Sequence, residues 1–242
     1  MAEILNSPPL LEFYRNDGKR RISESAERLE RYRFNCIIHA IKEFQRSLPG
    51  HRLSVVDAGA GLGQLSIDLA EQGHQVTAVD CAESRLKRFE ARAVELGITQ
   101  VLASVQETTL QDVVADCVVC SEVVEHLPDP HEALREFSRI TKKGGLLVLS
   151  VPYAEILQKV QCPDCGAFFH PHGHLHSFTL KDIRDLLETH CFEIQRTRVI
   201  AKRIAAALVR RAMTTSSIAY FLDKIQPSKP NSGWLIVAAR KR

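Results

Sequence analysis

Long apolar runs are missing from this chain. The longest, LLVLSV at 146–151, falls far short of the roughly 20 residues needed to span a bilayer, so no transmembrane segment is expected. The opening MAEILNSPPLLEFY contains two prolines and no basic stretch leading into an apolar one, which excludes a secretory leader there. Net charge is also scarce. Lys and Arg number 32 against 29 Asp and Glu, leaving +3, without the strongly basic face that tracks a phosphate backbone. Aromatics are only 6 % of residues and are not interleaved with basic ones, which counts against a nucleic-acid partner. Repeats and low-complexity tracts are absent. The seven cysteines are odd in number and sit mostly in strand-like runs. That excludes a secreted disulfide scaffold and predicts a reducing, cytoplasmic setting.

What is present is a globular composition, 45 % hydrophobic over 242 residues, enough for one large domain with inserted subregions. Leu29, Phe34, Ile37, Ile38, Ile41 and Phe44 recur at helical spacing, predicting a long helix over 23–46 that Pro49 and Gly50 end. This N-terminal helical segment, 1–50, precedes a domain over 51–242. There apolar strands alternate with helices. Strands are predicted at 53–58, 75–80, 99–105, 115–120 and 144–152, the last after a Gly144–Gly145 turn. Helices are predicted at 62–73, 83–97 and 130–141. This alternation predicts an α/β, doubly wound, mostly parallel sheet covered on both faces. A helix at 180–190, a strand at 192–200, a basic helical insert over 201–226 and a strand at 233–240 complete the chain. The two late strands are expected to pair at a sheet edge.

The segment VVDAGAGLGQLSIDLA (55–70) places Gly59, Gly61 and Gly63 between a strand and a helix. In open parallel sheets ligands sit beyond the carboxyl ends of the strands, where this loop lies. Glycines there let the backbone approach a ligand closely. Asp80 closes the second strand, placed to accept hydrogen bonds from both hydroxyls of a ribose. A dinucleotide loop would put its third glycine at 64, where this chain has Gln64. Asp57, at the tip of the first strand, would repel a pyrophosphate but attract an ammonium. A ligand with ribose at one end and an amino group at the other fits both acids, and S-adenosylmethionine (SAM) is such a ligand.

VVDAGAGLG, VTAVD, ADCVVCSEVVEHLPDPHEALREFSRITKKGGLLVLSVP and GWLIVAAR resemble, in order and spacing, the motifs of class I SAM-dependent methyltransferases. The resemblance runs from about Leu53 to Pro152, resumes near the C-terminus, and is closest to the type 11 members. It implies a seven-stranded Rossmann-like sheet whose last strand is antiparallel. It also implies that Gly59, Ala60, Gly61 and Gly63 line the methionine part of the ligand and that Asp80 binds the ribose. Cys81 would then lie beside the adenine, with Ser104, followed by Val105, where many members carry an aspartate near the adenine amine. Cys120 and Ser121 would border the methyl group.

For the acceptor side, Glu122, Glu125 and His126 have i, i+3, i+4 spacing and share a face if SEVVEHLPDP is helical. His126 is the leading base, its unperturbed pKa lying near neutrality. An alternative uses these three with His174 to hold Mg²⁺ or Mn²⁺. E-x-x-E-H with a later histidine is similar to metal-assisted RNA 2'-O-methyltransferases, and E-x-x-E-H alone to O-methyltransferases of quinone biosynthesis. Residues 161–178, after the fifth strand, form a Cys/His-rich insert expected over the mouth of the site. Cys162 and Cys165 form a C-x-x-C turn that His170 and His172 would complete as structural zinc, leaving His174 and His176 for acceptor work. The basic stretch 198–211 reads as an amphipathic helix covering the sheet or touching an anionic membrane surface. The sequence therefore predicts an O-methyltransferase acting on a small-molecule acceptor. Alternatives are the metal-assisted RNA enzyme, a non-catalytic SAM-binding scaffold, and a nicotinamide dehydrogenase, which Gln64 disfavours.

Overall fold

A computed structural model describes residues 24–161, 166, 168–201 and 233–242. Cys162, Cys165 and the basic insert from 202 onward lie outside the described residues. The first described helix, α1 (Glu24–Gln45), is followed by β1 (Ser54–Ala58), α2 (Gln64–Glu71), β2 (Gln75–Asp80), α3 (Glu83–Leu86), α4 (Glu90–Leu96) and β3 (Thr99–Leu102). Then come β4 (Ala115–Ser121), α5 (Pro130–Ile140), β5 (Thr141–Pro152), a two-stranded ribbon of β6 (Val160–Gln161) and β7 (Phe168–Phe169), α6 (Leu180–Thr189), β8 (Phe192–Ala201) and β9 (Gly233–Lys241).

The seven-stranded sheet has the order β3-β2-β1-β4-β5-β9-β8. β1 through β5 are parallel, and β9 runs antiparallel between β5 and β8. Strand order reverses between β1 and β4, so the loops leaving these two strands flank the crevice where such sheets bind ligands. β4 is buried at every position but its last, as a strand covered on both faces should be. One apolar layer joins Ile37 and Ile41 of α1 to Val55, Leu69 and Trp234. The other joins Phe137 of α5 and Leu187 of α6 to Val118, Leu147 and Leu235. The N-terminal helix is thus packed into the core of the domain it precedes.

Local signals explain the helix boundaries. Asp129 caps α5 by accepting from the His131 amide, with Pro130 in the first turn, and Thr179 and Asp182 form a capping box on α6. Three expectations need correction. The helix read over 83–97 is broken by a 3₁₀ turn (Lys87–Phe89), in which Phe89 abandons helical geometry and lays its ring against Gly63. The Gly144–Gly145 turn is not a turn before β5 but an irregularity inside it, the pairing shifting between Ala115/Thr141 and Cys117/Leu146. Gly145 is required there because a Cβ would lie 2.8 Å from the Lys142 carbonyl oxygen. The strand read over 192–200 is found, so the amphipathic helix read over 198–211 cannot begin before residue 202: Arg198 pairs with Ile236 on β9. No described helix is long and apolar enough to cross a membrane.

Candidate active site

The glycine loop after β1 is fastened to the end of β2. The Gly59 and Ala60 amides donate to the Val79 carbonyl at 2.8 and 2.9 Å. Asp80, 3 % exposed, accepts from the Gly61 amide at 2.8 Å on one oxygen and from the Ala82 amide at 2.8 Å on the other. Before any ligand is considered, Asp80 therefore shapes the loop. All three glycines have positive φ, but for different reasons. A Cβ on Gly59 would lie 2.4 Å from Val123, and one on Gly63 2.4 Å from the Phe89 ring, whereas one on Gly61 would meet nothing. Gly59 and Gly63 are needed for packing; Gly61 borders open space.

Asp57 is 2 % exposed and accepts from the Ser66 hydroxyl at 2.6 Å. Burial raises its pKa to about 6, the Ser66 bond opposing and the nearby Asp80 charge adding to the rise. Two buried acids thus end adjacent strands beside the loop. Cys81 and Ser104 are exposed, and Ser104 accepts from the Gln106 amide at 3.2 Å; Val105 is buried. The Cys120 side chain is fully buried in the apolar layer under α5 and α6, and burial holds its thiol well above the ordinary range. Only its backbone can face a ligand.

The turn after β4 is not the expected helix. Glu122 has φ +56, and only Val124–His126 form a 3₁₀ turn, so Glu122 does not share a face with Glu125 and His126. Glu122 pairs with Arg33 of α1 at 3.3 Å and accepts from the Ser150 hydroxyl at 3.1 Å. Arg33 packs on Phe34 and Trp234. Glu125 is fully buried and neither carboxylate oxygen has a hydrogen-bond partner. Burial, then the Glu122 charge, raises its pKa well above the carboxylate range. His126 donates from Nδ1 to the Gly173 carbonyl at 3.3 Å, which leaves a lone pair on Nε2, 3.9 Å from Glu125. Burial and the neighbouring His174 lower its pKa to about 4. The near-neutral base expected from the sequence is therefore a neutral, weaker one.

The insert leaves β5 and returns to the same place: Tyr153 bridges Phe178, and the Ala154 amide donates to the Phe178 carbonyl at 2.8 Å. It is stitched to the turn after β4. The Leu175 and His176 amides donate to the Glu125 carbonyl at 2.8 and 3.1 Å, and His176 Nε2 donates to the Leu127 carbonyl at 2.8 Å. Described parts of the segment thus pack against the turn after β4. His174 and His176 are not free as expected, for His174 Nδ1 bonds Glu155 and His176 stacks on Phe178. His170 stacks on His174, ring centres 4.7 Å apart. Among the described residues two groups of potential metal ligands result, Glu125–His126–His174 and Glu155–His170–His174, each with its donor atoms within 4.8 Å of one another. His172 belongs to neither, and Glu122 is held elsewhere.

Sequence reading missed Glu155, Arg33 and Ser150. Arg33 reads as an ordinary helix residue and Ser150 as part of an apolar strand. Glu155 is an acid a few residues ahead of a histidine-rich run, the one signal that could have marked it.

Residues 56–149 match a family model described as a methyltransferase domain. Within and around it, the chain is 39 % identical over 102 residues to a ubiquinone biosynthesis O-methyltransferase of Leptothrix cholodnii, covering 40 % of this chain and 43 % of that protein. It spans about half the length, or less, of the curated relatives that head the comparison. Among solved structures, a 1,6-didemethyltoxoflavin N1-methyltransferase of Burkholderia thailandensis, with bound S-adenosylhomocysteine, superposes with a TM-score of 0.59 at 21 % identity, covering 84 % of this chain and 76 % of that one. A magnesium protoporphyrin IX methyltransferase of Synechocystis, with bound SAM, gives 0.58 at 18 % identity, covering 99 % and 94 %. At these identities the likeness is one of fold alone, and it extends beyond residue 149.

Proposed function

We propose that this protein moves the methyl group of SAM to an oxygen of a small-molecule acceptor. The names of its relatives favour a hydroxyl of the kind found on quinone precursors. The observation that carries the reading is the pair of buried acids, Asp57 and Asp80, ending adjacent strands beside the open backbone of Gly61. A buried carboxylate that accepts from Ser66 and whose pKa burial raises is an anion that a ligand ammonium would stabilise. Asp80 uses one lone pair of each oxygen on backbone amides and keeps one on each for a diol.

In this reading Asp57 meets the donor's amino group, and the backbone of Gly59, Ala60, Gly61 and Gly63 passes its methionine chain. Asp80 takes the ribose, while Cys81, Ser104 and Val105 flank the adenine. The Cys120 backbone and Ser121 border the methyl end. The donor supplies an already activated methyl on a sulfonium, so the protein has mainly to align the nucleophile and exclude water. His126 Nε2 carries the lone pair that receives the acceptor's proton. Arg33 and Ser150 fix Glu122, and the insert 161–178 roofs the acceptor pocket. We assign residues 51–242 to one catalytic domain, with 161–178 and 201–226 as insertions, working in the cytoplasm.

A second reading is favoured by the unpartnered oxygens of Glu125 beside His126 and His174. These three residues would hold Mg²⁺ or Mn²⁺, which would lower the pKa of an acceptor hydroxyl; an RNA 2'-hydroxyl is the alternative acceptor there.

Thermal melting with SAM, S-adenosylhomocysteine and NAD tests the donor site, since a ligand bound only to the folded state raises its stability. SAM and S-adenosylhomocysteine are expected to raise the midpoint and NAD to leave it unmoved. Calorimetric titration with SAM should fail for Asp80→Ala; an unchanged titration overturns the assignment. Loss of oxygen methylation on chelation, with SAM binding intact, decides for the second reading.

A further inference from the structure

The geometry points to a transition-metal clasp, zinc in type, formed by Glu155, His170 and His174, which fastens the histidine turn of the insert to the exit of β5. This site is independent of the methyl-donor reading and uses neither thiol of the C-x-x-C turn. Two imidazoles and one carboxylate are a donor set that suits zinc and its neighbours and does not favour Mg²⁺. The three side chains come from both sides of a closed loop: Glu155 follows the Tyr153–Phe178 bridge, while His170 and His174 lie toward its return. Their donor atoms lie within 4.8 Å of one another. A zinc ion with bonds of about 2.1 Å separates tetrahedral donors by about 3.4 Å, so side-chain adjustment of little more than about 1 Å closes the set. His174 Nδ1 and Glu155 are already hydrogen-bonded, and a metal ion would replace the proton between them. His170 lies stacked against the same ring.

Burial separates this group from its neighbour. Glu125 is fully buried, whereas Glu155, His170 and His174 are all half-buried. An ion can therefore reach the clasp from solvent. Because His174 is common to both groups, occupancy of the clasp would also withdraw it from His126, whose ring now stands 4.8 Å away. The ion would thus lock the roof and reset the acceptor side in one event.

Titration of the metal-stripped full chain with Co²⁺, followed by its visible absorption, tests this. The expected result is one equivalent giving weak d–d bands without strong near-ultraviolet thiolate-to-cobalt charge transfer, retained in Cys162→Ser/Cys165→Ser. Glu155→Gln and His170→Gln should each weaken binding about tenfold or more, with unliganded melting midpoints matching the parent chain. Strong charge transfer in the parent chain would place the ion on the thiolates and overturn the clasp. So would unchanged affinity in both variants, or binding lost in Glu125→Gln but kept in Glu155→Gln.

Discussion

The carboxylate of Asp57 is a liability in the folded chain that a cationic ligand would turn to use. Its pKa is raised from 3.8 to about 6, mainly by burial. At about 1.4 kcal/mol per pH unit, keeping it ionised in the folded state costs about 3 kcal/mol. The folded chain binds the proton more tightly than the unfolded one, so this contribution to stability is fully present below pH 3.8 and is lost as pH rises through about 6. Asp57→Asn removes the titration while keeping the side chain's size and its capacity to accept from Ser66. The stability of the parent chain minus that of the variant should therefore fall by about 1.4 kcal/mol between pH 5 and pH 8, roughly half of the full effect. Denaturant unfolding of both proteins at the two pH values measures this difference, and other titrating groups cancel in it. The same variant should bind SAM more weakly at pH 8, where the parent carboxylate is charged. A difference that stays flat from pH 5 to 8 would refute the account of a carboxylate strained by burial.

The glycines should separate by context. Gly63→Ala drives a Cβ to 2.4 Å from the Phe89 ring at φ +79 and should cost about 2–4 kcal/mol in overpacking and backbone strain. Gly61→Ala meets no atom, should cost about 1 kcal/mol, and should instead lower SAM affinity; equal stability losses would contradict the packing. Glu125→Gln loses no hydrogen bond, and the native carboxyl is held above its usual range. Below about pH 4 the two proteins should differ by less than about 1 kcal/mol, and the parent chain should fall behind the variant as pH rises above 4.5 toward the raised pKa. A loss above about 3 kcal/mol would mean an ionised, paired carboxylate. His126 is neutral down to about pH 4, so kcat/KM should show no limb from it between pH 6 and 8. A limb near 6.5 that vanishes in His126→Asn would disprove the neutral ring.

Much of this was readable from one chain because periodicity and glycine placement are local. Gly59, Gly61 and Gly63 after an apolar strand marked the candidate ligand loop, and the alternation of strands and helices marked the parallel sheet, whereas its antiparallel last strand was implied only by the family resemblance. Asp57 and Asp80 were legible because each closes a strand, and strand ends in such sheets face the crevice. Other features depend on residues distant in sequence. The spacing of Glu122, Glu125 and His126 looked helical, but Glu122 turns into left-handed backbone and is taken by Arg33, some ninety positions earlier. The same turn buries Glu125 without a partner and lowers the His126 pKa, because the insert folds back over it and seals it with hydrogen bonds from Leu175 and His176. Spacing could nominate those side chains. Their protonation, and the union of Glu155 with His170 and His174, were decided only when the tertiary fold removed water and brought the two ends of one loop together.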